Sequence, residues 1–199
     1  MKLSTNILKL IEALQVLPGI GPKSAKRMAL FLLTSDTNKA LNISDALKTS
    51  ISTIQQCEKC YVLNENEICD ICSSAERDNK IMCVVETTSD LYSIEETGEY
   101  KGKYFVLNGL LSPIDNIGTE ELKIKKLLLL IKDRNVSEVI LALNTTLEGE
   151  ATSYYILDKL KEDNLKITRI AQGVPAGGDL NYVDNATLRR ALSYRTEIK

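Results

Sequence analysis

A chain of 199 residues and 22.1 kDa makes one domain or two small ones, able to bury roughly 70% of its unfolded surface, which excludes a large multi-domain enzyme. Hydrophobic residues at 44%, charged residues at 26%, 4 Pro and 10 Gly exclude a disordered chain or a fibre. The net charge of −2 includes no histidine, which excludes Ser-His-Asp and Cys-His catalysis and any His-containing zinc site.

The charge is unevenly spread. Residues 1–35 carry Lys2, Lys9, Lys23, Lys26 and Arg27 against Glu12 alone. Residues 86–99 hold Glu86, Asp90, Glu95, Glu96 and Glu99 without a base, and the last fifteen residues set Arg189, Arg190, Arg195 and Lys199 against Glu197. Such asymmetry predicts polyanion contact near the ends and other work in the middle.

In chain order, Leu3, Ile7, Leu10, Ile11 and Leu14 recur at helical period, predicting a helix that ends before Pro18. A second helix is predicted after Pro22, with Ala25, Met28, Ala29 and Leu32 on its apolar face. Ile43, Leu47, Ile51 and Ile54 repeat the pattern in a third helix up to Cys57. From Ile81 the texture changes to short apolar runs at 81–85, 104–107, 139–143 and 167–171, which read as buried strands. Helical patterns at about 88–97, 119–134 and 150–164 lie between them. The expected class is therefore α/β: an N-terminal helical hairpin unit (1–54), a small four-cysteine motif (55–76), a mostly parallel sheet flanked by helices (77–175), and a C-terminal loop and helix (176–199). The longest aliphatic run, Leu127 to Ile131, is too short to span a membrane, and no signal-like stretch opens the chain, so a cytoplasmic protein is expected.

Cys57-x2-Cys60 and Cys69-x2-Cys72 stand eight residues apart. Each turn aims two sulfurs at one point, and two such turns supply the tetrahedral set that Zn²⁺ prefers, predicting one structural ion per chain. The alternatives are thiols of no consequence, disulfides, which a reducing compartment disfavours, or a redox pair, which explains only half of the pattern. Cys83, inside the first strand of the sheet, reads as a buried small hydrophobe.

Leu17-Pro18-Gly19-Ile20-Gly21-Pro22-Lys23 joins the first two helices. Gly19 and Gly21 let the turn tighten and leave backbone N–H groups approachable beside the positive end of the second helix. Lys23, Lys26 and Arg27 follow in its first turns, where they can neutralise phosphates without reading a base. The segment resembles the helix-hairpin-helix motif of non-specific DNA contact; a plain helical hairpin with a solvated basic face is the alternative.

Glu86 ends the first strand of the sheet, and Asn144-Thr145-Thr146-Leu147-Glu148-Gly149-Glu150 follows the third. This pairing resembles the Toprim domain of topoisomerases and primases. Those enzymes keep a glutamate after the first strand and Asp-x-Asp after the later one to hold Mg²⁺. Here the two aspartate positions are Asn144 and Thr146, so at most weak Mg²⁺ binding is expected from Glu86, Glu148 and Glu150, which otherwise read as solvated loop acids.

The order of hairpin, cysteine pairs and altered Toprim domain resembles the RecR family of bacterial recombination mediators over essentially the whole chain. Glu95-Glu96-Thr97-Gly98-Glu99-Tyr100, Leu111-Ser112-Pro113 and Gly173-Val174-Pro175-Ala176-Gly177-Gly178-Asp179-Leu180 look like the family's characteristic stretches. The resemblance implies a non-enzymatic DNA-binding factor of gap repair that works with RecO and RecF to load RecA and assembles as a ring, most simply a homotetramer. It places Gly19, Gly21, Lys23, Lys26 and Arg27 at DNA, the four cysteines at zinc, and Glu86, Glu148 and Glu150 at RecO. A Mg²⁺-dependent nuclease or topoisomerase-like enzyme is the alternative, and a zinc module without DNA contact a third. A terminal helix at about 186–195, with Leu188, Ala191 and Leu192 on its apolar face, either packs on its own subunit or reaches a neighbour.

Overall fold

The computed structural model describes residues 3–35, 37–161, 165–195 and 197. Lys2, Lys199 and the last residues of the helix expected at 150–164 lie outside them. The chain divides into two compact units, Met1–Ile54 and Gln55–Lys199. Among the described residues no helix is long and apolar enough to cross a membrane.

The first unit has three helices: α1 (Thr5–Gln15), α2 (Pro22–Thr34) and α3 (Thr37–Thr53). Ile11, Ala25 and Ala29 are buried, and Leu3, Ile7, Leu10, Leu14 and Ile20 pack around them. The alanines are fully buried, and side chains so small let α1 and α2 approach closely. The third helix ends at Thr53 rather than at Cys57, because Gln55 and Gln56 turn into a strand, and its apolar face lies open among the described residues. Ile43, Leu47, Ile51 and Ile54 are 50%, 59%, 81% and 38% exposed, and α3 buries no residue. Periodicity predicted the helix but could not say whether anything covers it.

The second unit opens on a two-stranded antiparallel ribbon, β1 (Gln55–Gln56) with β2 (Leu63–Asn64), followed by the short helix α4 (Asp70–Ser73). Then come β3 (Asp78–Val85), α5 (Thr88–Glu95), β4 (Gly102–Val106), α6 (Ile124–Asp133), β5 (Glu138–Ala142), α7 (Leu147–Leu160) and β6 (Lys166–Arg169). The four long strands form one parallel sheet in the order β4-β3-β5-β6. β4 and the second half of β3 are buried on both faces, which explains why they read as continuous apolar runs, whereas β5 is buried at alternate positions and the edge strand β6 is only partly covered.

Successive residues of β3 supply the two cores, as strand alternation requires. Met82 and Val84 join Phe105, Val139 and Leu141 against Leu127 and Ile131 of α6 and Ile156 and Leu160 of α7. Cys83 and Val85 join Tyr104 and Val106 against Leu91 of α5 and the four paired cysteines. Cys83 is the buried hydrophobe expected of it, and burial pushes its thiol up to about 12. The cysteine segment also covers the outer edge of β4, where Val106 N–H donates to Cys60 C=O at 2.8 Å and hides ladder groups that would otherwise be open. The terminal helix α8 (Asn185–Ser193) is capped by Asp184, whose carboxylate accepts from the N–H groups of Ala186 and Thr187. It buries no residue, and Leu192 is 67% exposed.

Candidate metal centre and nucleic-acid interface

Cys57, Cys60, Cys69 and Cys72 are all buried, and their four sulfurs lie within 4.8 Å of one another. Two tight turns produce this convergence. Tyr61 N–H returns to Cys57 C=O at 2.9 Å, with Tyr61 in the left-handed region at φ 63°. Cys72 N–H returns to Cys69 C=O at 3.0 Å at the start of α4. Cys60 and Cys69 sulfurs are 3.5 Å apart. The edge of a tetrahedron with Zn–S bonds of about 2.3 Å is about 3.8 Å, so the donor set fits a closed four-sulfur metal ion with no place for water. Cys69 N–H also points at the Cys57 sulfur at 3.4 Å, a donor suited to a thiolate. A hydrogen bond from Cys60, then one from Cys69, lowers the Cys72 thiol to about 4. The bonds to Cys69 and Cys72, with burial, hold the proton on Cys60.

Two cations stand beside this cluster, and the sequence reading missed both. Lys103 is 1% exposed, on a strand whose every residue is buried. Its Nζ donates to the carbonyls of Ile71 at 2.8 Å, Cys72 at 3.4 Å and Ser74 at 2.7 Å. Burial pushes this ammonium below the ordinary lysine range, while the Cys72 and Cys69 sulfurs push it back up. Arg134, at the C-terminal end of α6, also lowers the Cys72 thiol, and its Nη1 is buried with no hydrogen-bond partner. The available signal was a lysine inside a strand run, Gly102-Lys103-Tyr104-Phe105-Val106, where neither face of the sheet offers water.

In the first unit the hairpin runs from Val16 to Gly21. Gly19 takes φ +77°, which its neighbours could adopt only with strain, and Ile20 N–H closes the turn on Leu17 C=O at 3.1 Å. Gly21 is the N-cap of α2 with no side-chain cap, and Pro22, which has no N–H, is its first residue. Nothing lies within 4 Å of a Cβ placed on Gly19 or Gly21, so the backbone there is bare. Lys23, Lys26 and Arg27 are exposed on the first turns of α2, and none forms an ion pair among the described residues.

At the C-terminal ends of β3 and β5, where the strand order reverses, Glu86 and Asn144 meet: Asn144 Nδ2 donates to Glu86 Oε2 at 2.8 Å. Parallel sheets bind ligands at such a switch point. The amide occupies the carboxylate. Thr146 is likewise engaged, as the N-cap of α7 accepting from Gly149 N–H at 3.1 Å. Gly149 is needed for this packing, because a Cβ there would meet the Asn144 carbonyl oxygen at 1.9 Å. Glu150 is clamped by Arg169 through two hydrogen bonds of 3.0 and 3.1 Å, whereas Glu148 is exposed on the first turn of α7. The three glutamates are thus not brought together on one ion: Glu86 is held by an amide, Glu150 by a guanidinium. Arg169 was not foreseen; a basic residue ending an edge strand carries no signal of its own.

Three family models match the chain: the RecR helix-hairpin-helix over residues 7–51, the Toprim domain over 80–171 and the RecR C-terminal region over 173–196. The recombination protein RecR of Acinetobacter baylyi is 48% identical over 96% of this chain and 96% of its own length. That of Coxiella burnetii is 46% identical over 96% of each, and that of Methylococcus capsulatus 45% identical over 99% of this chain and 100% of its own. With such identity over nearly the full length of both chains, and with hairpin, Toprim and C-terminal segments in the same order, this chain belongs to the RecR family of recombination proteins.

Proposed function

We propose that this chain is a non-enzymatic, cytoplasmic mediator of recombinational DNA repair, acting at gaps with RecO and RecF to promote RecA loading. It has four working parts: a DNA-binding hairpin unit (1–54), a zinc motif (55–76), a Toprim-like domain (77–175) and a C-terminal arm (176–199). The hairpin is the observation that carries this reading: two exposed glycines with open space around them, a helix N-terminus, and Lys23, Lys26 and Arg27 with no anion paired to them among the described residues. Bare backbone N–H groups beside three cations suit a phosphate path and offer nothing that reads a base.

One hairpin makes few phosphate contacts, so several must act together. The reading is a homotetrameric ring that closes around DNA and adds its contacts at high effective concentration. The uncovered apolar side chains of α3, together with Leu192 and Tyr194 at 67% and 71% exposure, support self-association. Glu86, Glu148 and Glu150 serve as the RecO surface, and the metal is one structural Zn²⁺ per chain. Mg²⁺ at the Toprim switch point would be held weakly, because Asn144 and Thr146 supply an amide and a hydroxyl that are already hydrogen-bonded. That same occupancy disfavours the nuclease or topoisomerase-like alternative. The test is a DNA titration with and without Mg²⁺, followed by a gel for products. Binding without nicking, relaxation or cleavage is expected; metal-dependent cleavage that disappears in Glu86→Gln would overturn the non-enzyme reading.

A further inference from the structure

A lysine in the interior normally keeps its charge only beside a carboxylate or a metal-bound anion. Lys103 has neither a carboxylate partner among the described residues nor a path to solvent. Its three acceptors are all backbone carbonyls, of Ile71, Cys72 and Ser74. Carbonyls solvate an ammonium without neutralising it, so an ammonium held there lacks a counter-charge. Arg134 adds a second cation near Cys72, with a buried Nη1 that lacks an acceptor. Two cations therefore stand beside the four sulfurs, an arrangement that is electrostatically incomplete without an anion.

A divalent ion completes it. Four thiolates and one M²⁺ carry a net charge of −2, and Lys103 and Arg134 carry +2, so the buried assembly becomes neutral as a whole. We infer that Lys103 and Arg134 are charge-compensating positioning residues of the metal centre, holding the second cysteine pair in place and slowing loss of the ion. This inference rests on the zinc reading of the cysteine cluster.

Lys103 does this from the sheet. Its carbonyl acceptors lie in and just after the second cysteine pair, while its own backbone belongs to β4. The ammonium therefore fixes the pair's peptide dipoles and its distance from the sheet along with its charge. Arg134 acts from the other side of the chain topology, at the end of α6, where a flexible guanidinium can turn its free Nη1 toward a thiolate. Partners of this outer kind typically change metal affinity by about 10- to 100-fold when removed.

The test uses full-length wild type, Lys103→Met, Lys103→Arg and Arg134→Gln, each purified reduced and assayed for zinc, then mixed with a chromogenic chelator to follow zinc transfer. Wild type should hold one zinc per chain. Transfer should be about tenfold faster in Lys103→Met, close to wild type in Lys103→Arg, and faster by a smaller factor in Arg134→Gln, whose half-exposed helix-end position should not endanger folding. The same proteins loaded with cobalt report the sulfurs directly: losing a neighbouring cation raises the sulfur lone pairs in energy, so the thiolate-to-cobalt charge-transfer band should move to longer wavelength in both charge-removing variants. If wild type holds one zinc and neither variant changes transfer rate or band position, the inference is wrong while the zinc reading stands. Wild type that binds no metal would overturn both.

Discussion

The chain keeps its cations in two opposite ways. In the hairpin, Lys23, Lys26 and Arg27 stand exposed with no ion-pair partner among the described residues; at the candidate metal centre, Lys103 is buried among carbonyls and Arg134 is half-buried beside a thiol. Exposed cations cost the fold little and do their work only when a polyanion arrives. A buried cation is a commitment of the fold itself, expensive unless its counter-charge is in place. Substitutions in the first region should therefore change binding and leave stability alone, and those in the second should change stability and metal content first.

The strongest way to break this contrast is Cys57→Ser. Structural zinc binding is coupled to folding, so losing one of four thiolates should remove stoichiometric zinc and destabilise the second unit by about 3 kcal/mol or more, read by metal analysis and chemical denaturation. A stable, zinc-free variant that still unfolds cooperatively would mean that the sulfurs are merely packed.

Core packing sharpens the same comparison between units. Leu127 is fully buried under the sheet, and Leu127→Ala should cost about 2–5 kcal/mol. Ile51, 81% exposed on α3, should lose no more than about 0.5 kcal/mol as alanine in an isolated chain. If Ile51→Ala instead costs more, with a penalty that grows with protein concentration, α3 is covered in an assembly and the ring gains support.

The smallest effect expected is on acid stability. Burial works to raise the Glu95 carboxyl, but hydrogen bonds from Arg77 and Tyr104 outweigh it and hold it below the usual carboxylate range. A depressed folded-state value means stability that is present above the unfolded carboxylate's range and is lost as pH falls through the folded value. Glu95→Gln should flatten the acid limb of a thermal-stability profile and leave the neutral region nearly parallel to wild type. An unchanged acid limb would show that the Arg77–Glu95 contact adds nothing in solution.

Much of the fold was legible because its signals are local. The Pro18 and Pro22 boundaries, the 3.6-residue stripe of α1 and the apolar runs of the four strands each follow from propensity and burial within a short window. The cysteine cluster was legible for the same reason, since CxxC turns are local and two of them need only a short loop to meet. What escaped depends on contacts distant in sequence. Lys103 reaches Ile71 across 32 positions, and Asn144 reaches Glu86 across 58, so neither bond could be read from spacing. The exposure of α3 was illegible for another reason: Ile43, Leu47 and Ile51 have the helical period, but period says which residues share a face and nothing about what lies against it.

The central claim, that this protein meets DNA through the exposed cations of its hairpin, is tested most directly by fluorescence anisotropy of a labelled DNA across a salt series. Wild type is compared with Lys23→Glu/Arg27→Glu at equal zinc content and equal thermal stability. Wild-type affinity should fall steeply with salt, and the double variant should bind more weakly on every sequence with a log-log slope shallower by about 2, the two phosphate contacts removed. Equal affinity and equal slope in the two proteins would contradict the account and move the DNA site away from the hairpin.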